Sequence, residues 1–158
     1  MRQLTIIFLV ALLLCACSSI DCPLNNVVLA KYVLKGNVST LEKTLTINLV
    51  RAGDRDSTWL NQIDHVTDFV LPMSYANETD VLVFLITDST STTIVDIVRV
   101  TKTNEPHFES VDCAPNYFHT IKDVTWTQNA IDSIIIAKAK VNYDTTGGNL
   151  HIYFKSDD

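Results

Sequence analysis

Lys43-Thr-Leu-Thr-Ile-Asn-Leu49 alternates polar and apolar residues, and Val81-Leu-Val-Phe-Leu-Ile86 is apolar at every position. The first has the period of two that sends alternate side chains to opposite faces of a sheet. The second is too short for a buried helix and reads as a strand covered on both faces. Working outward, further strands are expected at Val27–Lys35, Lys43–Arg51, Val66–Leu71, Val81–Thr87, Ile94–Thr101, Phe118–Thr127, Ser133–Lys138 and Leu150–Phe154. Ile134-Ile-Ile136 reads as a second central strand. Turn compositions such as Gly36-Asn37, Asp88-Ser-Thr90 and Thr146-Gly-Gly-Asn149 separate the runs. Composition agrees, with 48 Val, Ile and Thr among 158 residues but only 9 Ala and 4 Glu. That balance excludes a helical bundle. The expected fold is all-β: a single β-sandwich of about seven to eight strands, Ig-like or related, over residues 22–158. A small β-barrel is the alternative.

Lys and Arg number 12 against 18 Asp and Glu, a net charge of −6. The acidic balance argues against nucleic-acid binding, which needs basic contacts to phosphate. With 47% hydrophobic and 19% charged residues the chain can build a core.

Met1 to Ala16 reads as a signal peptide: Arg2 supplies a positive charge, and Leu4 to Leu14 is apolar except for Thr5. As a helix this run spans about 16 Å, too short for a bilayer of roughly 30 Å. Leu14-Cys-Ala-Cys17 resembles the lipobox of bacterial lipoproteins, with Cys17 as the lipidated residue. Cys15 fits worse, because bulky Leu14 precedes it. The alternative is a secreted protein cut at an ordinary signal site. Residues 17–21 then form a lipidated Cys and a short tether. Five extended steps from Cys17 to Cys22 reach at most about 17 Å. The resemblance implies a destination. Ser18 lacks the Asp that retains lipoproteins in the inner membrane, so the outer membrane is expected. Asp21 stands alone where surface lipoproteins carry an acidic run, which favours the periplasmic face over the cell surface.

Once Cys15 leaves with the leader and Cys17 takes a lipid, Cys22 and Cys113 remain. An oxidising envelope favours a disulfide between them. In the chain-entropy model a loop of this length is worth roughly 4–5 kcal/mol. Two free thiols are the alternative.

Lys102 to His119 is the most unusual stretch, with two His, three carboxylates and two Pro besides Cys113. It reads as a connection of about sixteen residues. His107, Glu109, Asp112 and His119 are residue types that suit zinc. The competing reading is a crossover loop pinned by Cys113, stiffened by Pro106 and Pro115, with Phe108 plugging the core. In that second reading Glu105, His107, Phe108, Glu109 and Asp112 form a partner-facing surface. No metal and no cofactor are expected. Asp56, Asp80, Asp96 and Asp132 each stand before an apolar run. A cation-binding rim is one reading. Asp capping the turn just ahead is the simpler one.

Cys22-Pro-Leu-Asn-Asn26, Leu71-Pro-Met-Ser-Tyr75, Pro106-His-Phe-Glu-Ser-Val-Asp-Cys113, Phe118-His119, Ile131-Asp-Ser-Ile134 and Ile152-Tyr-Phe-Lys155 carry a resemblance. They look like a family of small Bacteroidetes lipoproteins of unknown function, along nearly the whole mature chain. The resemblance implies no established activity. It does imply an accessory role beside an outer-membrane β-barrel.

No Gly-x-Ser-x-Gly elbow, His-Glu-x-x-His helix, Walker loop or dinucleotide fingerprint occurs. The three mature cysteines are already assigned, so none is left as a nucleophile. The chain is therefore expected to be non-enzymatic. One function class is an interaction module for an outer-membrane or periplasmic protein. The other is a ligand-binding module, for glycans for instance, using Trp59, Trp126 or Tyr75.

Overall fold

In the computed structural model the described residues are 28–50 and 57–156. The signal segment, Cys17, the tether, Cys22 and Asp56 lie outside them. The strands in chain order are β1 (Leu29–Lys35), β2 (Thr44–Val50), β3 (Ser57–Ile63), β4 (Asp68–Pro72), β5 (Thr79–Thr87), β6 (Thr93–His107), β7 (Asn116–Trp126), β8 (Ile131–Ile136), β9 (Lys140–Val141) and β10 (Leu150–Phe154). They form a four-stranded sheet, β4-β1-β10-β8, and a six-stranded sheet, β3-β2-β5-β6-β7-β9. The two sheets pack face to face as a β-sandwich, so the all-β expectation stands. Among the described residues no helix is long and apolar enough to cross a membrane.

The period of two governs burial. In β1 and β2 every second side chain is buried, and β5 alternates along its whole length. Leu82, Phe84 and Ile86 of β5 face Leu45, Ile47 and Leu49 of the neighbouring β2 on the inner side of the sheet. Rings join the two sheets across the core. Tyr32 stacks on Phe69 at 5.0 Å, and Phe69 meets Phe84 edge-on at 6.0 Å.

The four-stranded sheet closes through its middle. β1 pairs with β10 in parallel, from Tyr32–Leu150 to Lys35–Tyr153, and every other pairing is antiparallel. Asn149 sets this register. It is buried, its side-chain oxygen accepts from the Lys31 backbone N–H, and its backbone N–H donates to the Lys31 carbonyl. Its amide donates to the carbonyls of Lys138 and Lys140. Gly148 just before it has φ +80°, and a Cβ there would lie 2.5 Å from Val33 Cγ2. Gly148→Ala is expected to destabilise the domain by roughly 2–3 kcal/mol, through the left-handed backbone and the clash together. A urea titration checks it, and an unchanged midpoint would refute it.

Four expectations need correction. Among the described residues the strands number ten, and β3 and β9 have no counterpart among the expected runs. Ile134-Ile-Ile136 is not central: β8 is an edge strand and Ile135 is 50% exposed. The stretch from Lys102 is not a crossover. β6 continues to His107 and pairs antiparallel with β7, leaving only 108–115 as connection. Phe108 does not plug the core, since it is 61% exposed.

Candidate functional site

The chain enters the described fold at Val28 and starts β1 at Leu29, which pairs with Pro72 at the end of β4. Residues 73–78 then cross to β5 at this same end, here termed the entry end. β5 starts at Thr79, opposite Thr101 of β6. Beyond Thr101 strand β6 loses β5 as a neighbour and pairs only with β7, out to His107–Asn116. The result is a hairpin arm that reaches six residues beyond Thr101, about 20 Å at strand rise. β9 still flanks β7 at His119 and Thr120, so the arm is two-stranded only from Glu105 to His107 and Asn116 to Phe118. Pro106 is tolerated because one side of β6 is bare there, so no ladder hydrogen bond is lost.

Side chains staple both faces of the arm. On the outer face His107 stacks on Phe118 at 4.2 Å, and Tyr143 packs edge-on against both rings. The Tyr143 hydroxyl donates to Glu109 at 2.6 Å and accepts from Asn116 at 2.8 Å. On the inner face Tyr75 stacks on Tyr117 at 4.9 Å. Asn104 donates its amide to the carbonyls of Tyr75 and Asn77.

A line of buried polar groups anchors the root of the arm. Lys102, with no exposed side-chain surface, pairs with Asp80 at 3.0 Å and donates to the Asn77 carbonyl at 2.8 Å. Asp80 also accepts from the Ser74 backbone N–H. Asn104 meets the buried His119 ring at 2.8 Å. Burial outweighs the Lys102 charge at Asp80 and raises its carboxyl above the usual range. Burial also raises the Tyr32 phenol, with the Asp80 charge adding to it. His119 is pushed down to about 4 by burial first and the Lys102 charge second.

The His119 shift sets a pH dependence. From its ordinary 6.5 down to about 4, the unfolded chain takes a proton at His119 and the folded chain does not. Stability should therefore fall as pH drops through that window, by roughly 2–3 kcal/mol in all. Asp80 titrates in the opposite sense, gaining its proton more readily when folded. His119→Gln should flatten the wild-type slope between pH 6.5 and 4. An identical slope in the variant would refute the assignment.

The expected site residues thus separate into groups. Glu105, His107, Phe108, Glu109 and Asp112 sit on the arm's outer face and tip, with Glu105 accepting from Thr120. His119 belongs to the inner face and root, so it does not converge with His107. Among the described residues no group of three or more His, Cys, Asp or Glu is placed to hold a metal ion. Cys113 is disulfide-bonded. The chain's other cysteines are Cys15, Cys17 and Cys22, all outside the described residues. Trp59 is 44% exposed on edge strand β3, Tyr75 is 65% exposed against the arm, and Trp126 packs on the core opposite Val98 at the end of β7. They form no common platform.

Two of the aspartates turn out to be buried structural groups. Asp96 accepts from Thr127 Oγ1 and from the backbone N–H groups of Asn129, Ala130 and Ile131. These partners lie more than thirty residues ahead, not in the next turn. Asp80 and Lys102 were legible in phase: Asp80 continues Leu82-x-Phe84-x-Ile86, and Lys102 continues Val98-x-Val100.

Clefts open at both ends of the sandwich. One of about 360 Å³ lies beneath Met73 and Tyr75, with Asp80 in its wall. The other, about 530 Å³, lies at the far end around Leu41, Ile86 and Phe154.

The fold and site define a small all-β sandwich that carries a stapled hairpin arm at its entry end. Residues 44–154 match a family of unknown function, DUF6452, and the chain belongs to it. The match runs from the start of β2 to the end of β10, and so includes the whole arm and its polar root. No curated protein and no solved structure matches the chain.

Proposed function

We propose that this protein is a non-enzymatic lipoprotein of the Bacteroidetes type, held in the outer membrane by a lipid on Cys17. Its arm is an interaction surface for an envelope protein, an outer-membrane β-barrel among the candidates. The observation that carries this reading is positional: the arm projects from the end at which the chain enters the fold. Leu14-Cys-Ala-Cys17 supports the lipid, and the disulfide at Cys113 fits the pairing with Cys22. The periplasmic face is the favoured side.

The arm suits recognition rather than turnover. Its outer face is a rigid aromatic group edged by Glu105 and Glu109, with Asp112 at the tip. Such a surface favours a basic partner, with attraction that weakens as salt rises.

The mature N-terminus should carry a thioether-linked diacylglycerol on Cys17, read by mass spectrometry. A free N-terminus at Ser18 or beyond would remove the anchor. For the partner, a photo-crosslinking residue at Glu105 should capture one discrete envelope protein in cells. The same probe at Ser91, on the far-end turn, should not. Equal capture at both positions would defeat the reading.

A ligand-binding module is the second reading, favoured by the cleft of about 360 Å³ beneath exposed Tyr75. Tyr75→Ala would abolish glycan retention on an array if it holds.

A further inference from the structure

Phe108 and Val111 lead the tip of the arm, 61% and 95% exposed. Among the described residues no ring contact or side-chain hydrogen bond draws them inward, whereas neighbouring Glu109 is held back by the Tyr143 hydroxyl. Two large apolar side chains exposed together at the apex of a projecting hairpin make a patch that a partner surface can cover. Two observations say which. The chain preceding Val28 leaves the fold at this same end. Cys113, two residues past Val111, is disulfide-bonded, and in the pairing proposed above its partner is Cys22. That pairing ties the tip to the stretch containing Cys17, and eleven extended residues from Cys17 to Val28 reach at most about 40 Å.

We infer that the tip of the arm, led by Phe108 and Val111, seats in the headgroup region of the membrane that anchors the chain. The inference rests on the lipoprotein reading and adds to it a second, non-covalent contact with the bilayer. A lipid on one residue leaves a domain free to swing. A hydrophobic tip fixed beside the anchor gives it one orientation. The lipid surface is zwitterionic rather than anionic, because the chain carries net charge −6 and Glu109 and Asp112 flank the tip. The outer face of the arm then stands at membrane height, where a barrel rim meets it.

The test uses the mature lipidated chain in phosphatidylethanolamine–phosphatidylcholine vesicles. Phe108→Trp adds an emitter at the tip, and Ile94→Trp adds one at the far end. Emission of the wild type, from Trp59 and Trp126, is subtracted. The emission added at position 108 should shift to the blue and lose roughly half its intensity when the lipids carry bromine on their acyl chains. The emission added at position 94 should not change. If the chain floats with the vesicles but position 108 is unquenched, the tip does not touch lipid and belongs to the protein-facing surface. Quenching of both positions alike would overturn a fixed orientation. If the chain does not float and Cys17 carries no lipid, the anchor and the inference fall together.

Discussion

Lys102→Met destabilises the domain by roughly 3–5 kcal/mol, the expected consequence of removing one partner from a buried ion pair. The side chain has no exposed surface, and among the described residues its ammonium bonds to Asp80 and the Asn77 carbonyl. Methionine fills the space without the charge. Asp80, 5% exposed, is then left without its counter-ion and must take up a proton or draw in water. Asp80→Asn/Lys102→Met should recover most of the loss, because neither charge remains buried. Urea midpoints of the three chains decide it. A double variant no better than Lys102→Met would mean that the carbonyl contact dominates. The same substitution removes the second cause of the His119 shift, so that ring should titrate higher by NMR.

Asp96→Ala should cost about as much, by a different route. Its carboxylate holds Thr127, Asn129, Ala130 and Ile131 at 2.7 to 2.9 Å, fastening the β7–β8 turn to β6. Alanine leaves three backbone N–H groups without their acceptor; that of Ile131 is buried, while Asn129 is exposed and Ala130 half-buried, so water reaches those two. At about 1–3 kcal/mol for the buried donor and less for the others, a loss of roughly 2–4 kcal/mol is expected. Hydrogen exchange at residues 129–131 should accelerate far more than exchange in β2 or β5. Uniform acceleration would mean that Asp96 supports the whole core rather than this turn. Asp96→Asn keeps one acceptor oxygen and should lose less.

The strands that alternate over a well-filled core were legible: β1, β2 and β5 fall within two residues of where period and turn chemistry put them. The others obey different physics. β3, Ser57-Thr-Trp-Leu-Asn-Gln-Ile63, is an edge strand with mostly exposed side chains and two register shifts against β2, so it has no buried face to print a pattern. Ile134-Ile-Ile136 misleads in the other direction. An apolar run implies two covered faces, but β8 is covered on one. The arm reads as a loop because the apolar alternation of β6 ends at Val100. Beyond that point its strands are held by aromatic staples and a ladder, which polar residues and Pro106 satisfy as well as Val or Ile would. His107 and His119, twelve apart in sequence, looked like partners in one site. A β-hairpin sends them to opposite faces.

β1 lies between β4 and β10, and its pairing with β10 joins Tyr32 to Leu150 across nearly the whole chain. Closing so long a span is entropically demanding and has to precede the contacts that reward it. Until the final strand is available, β1 has only β4 beside it, and the bonding edge that β10 will occupy stays bare. A chain made only as far as β9 therefore leaves one edge of β1 and one edge of β8 without a partner. The four-stranded sheet closes when Leu150–Phe154 takes its place between them.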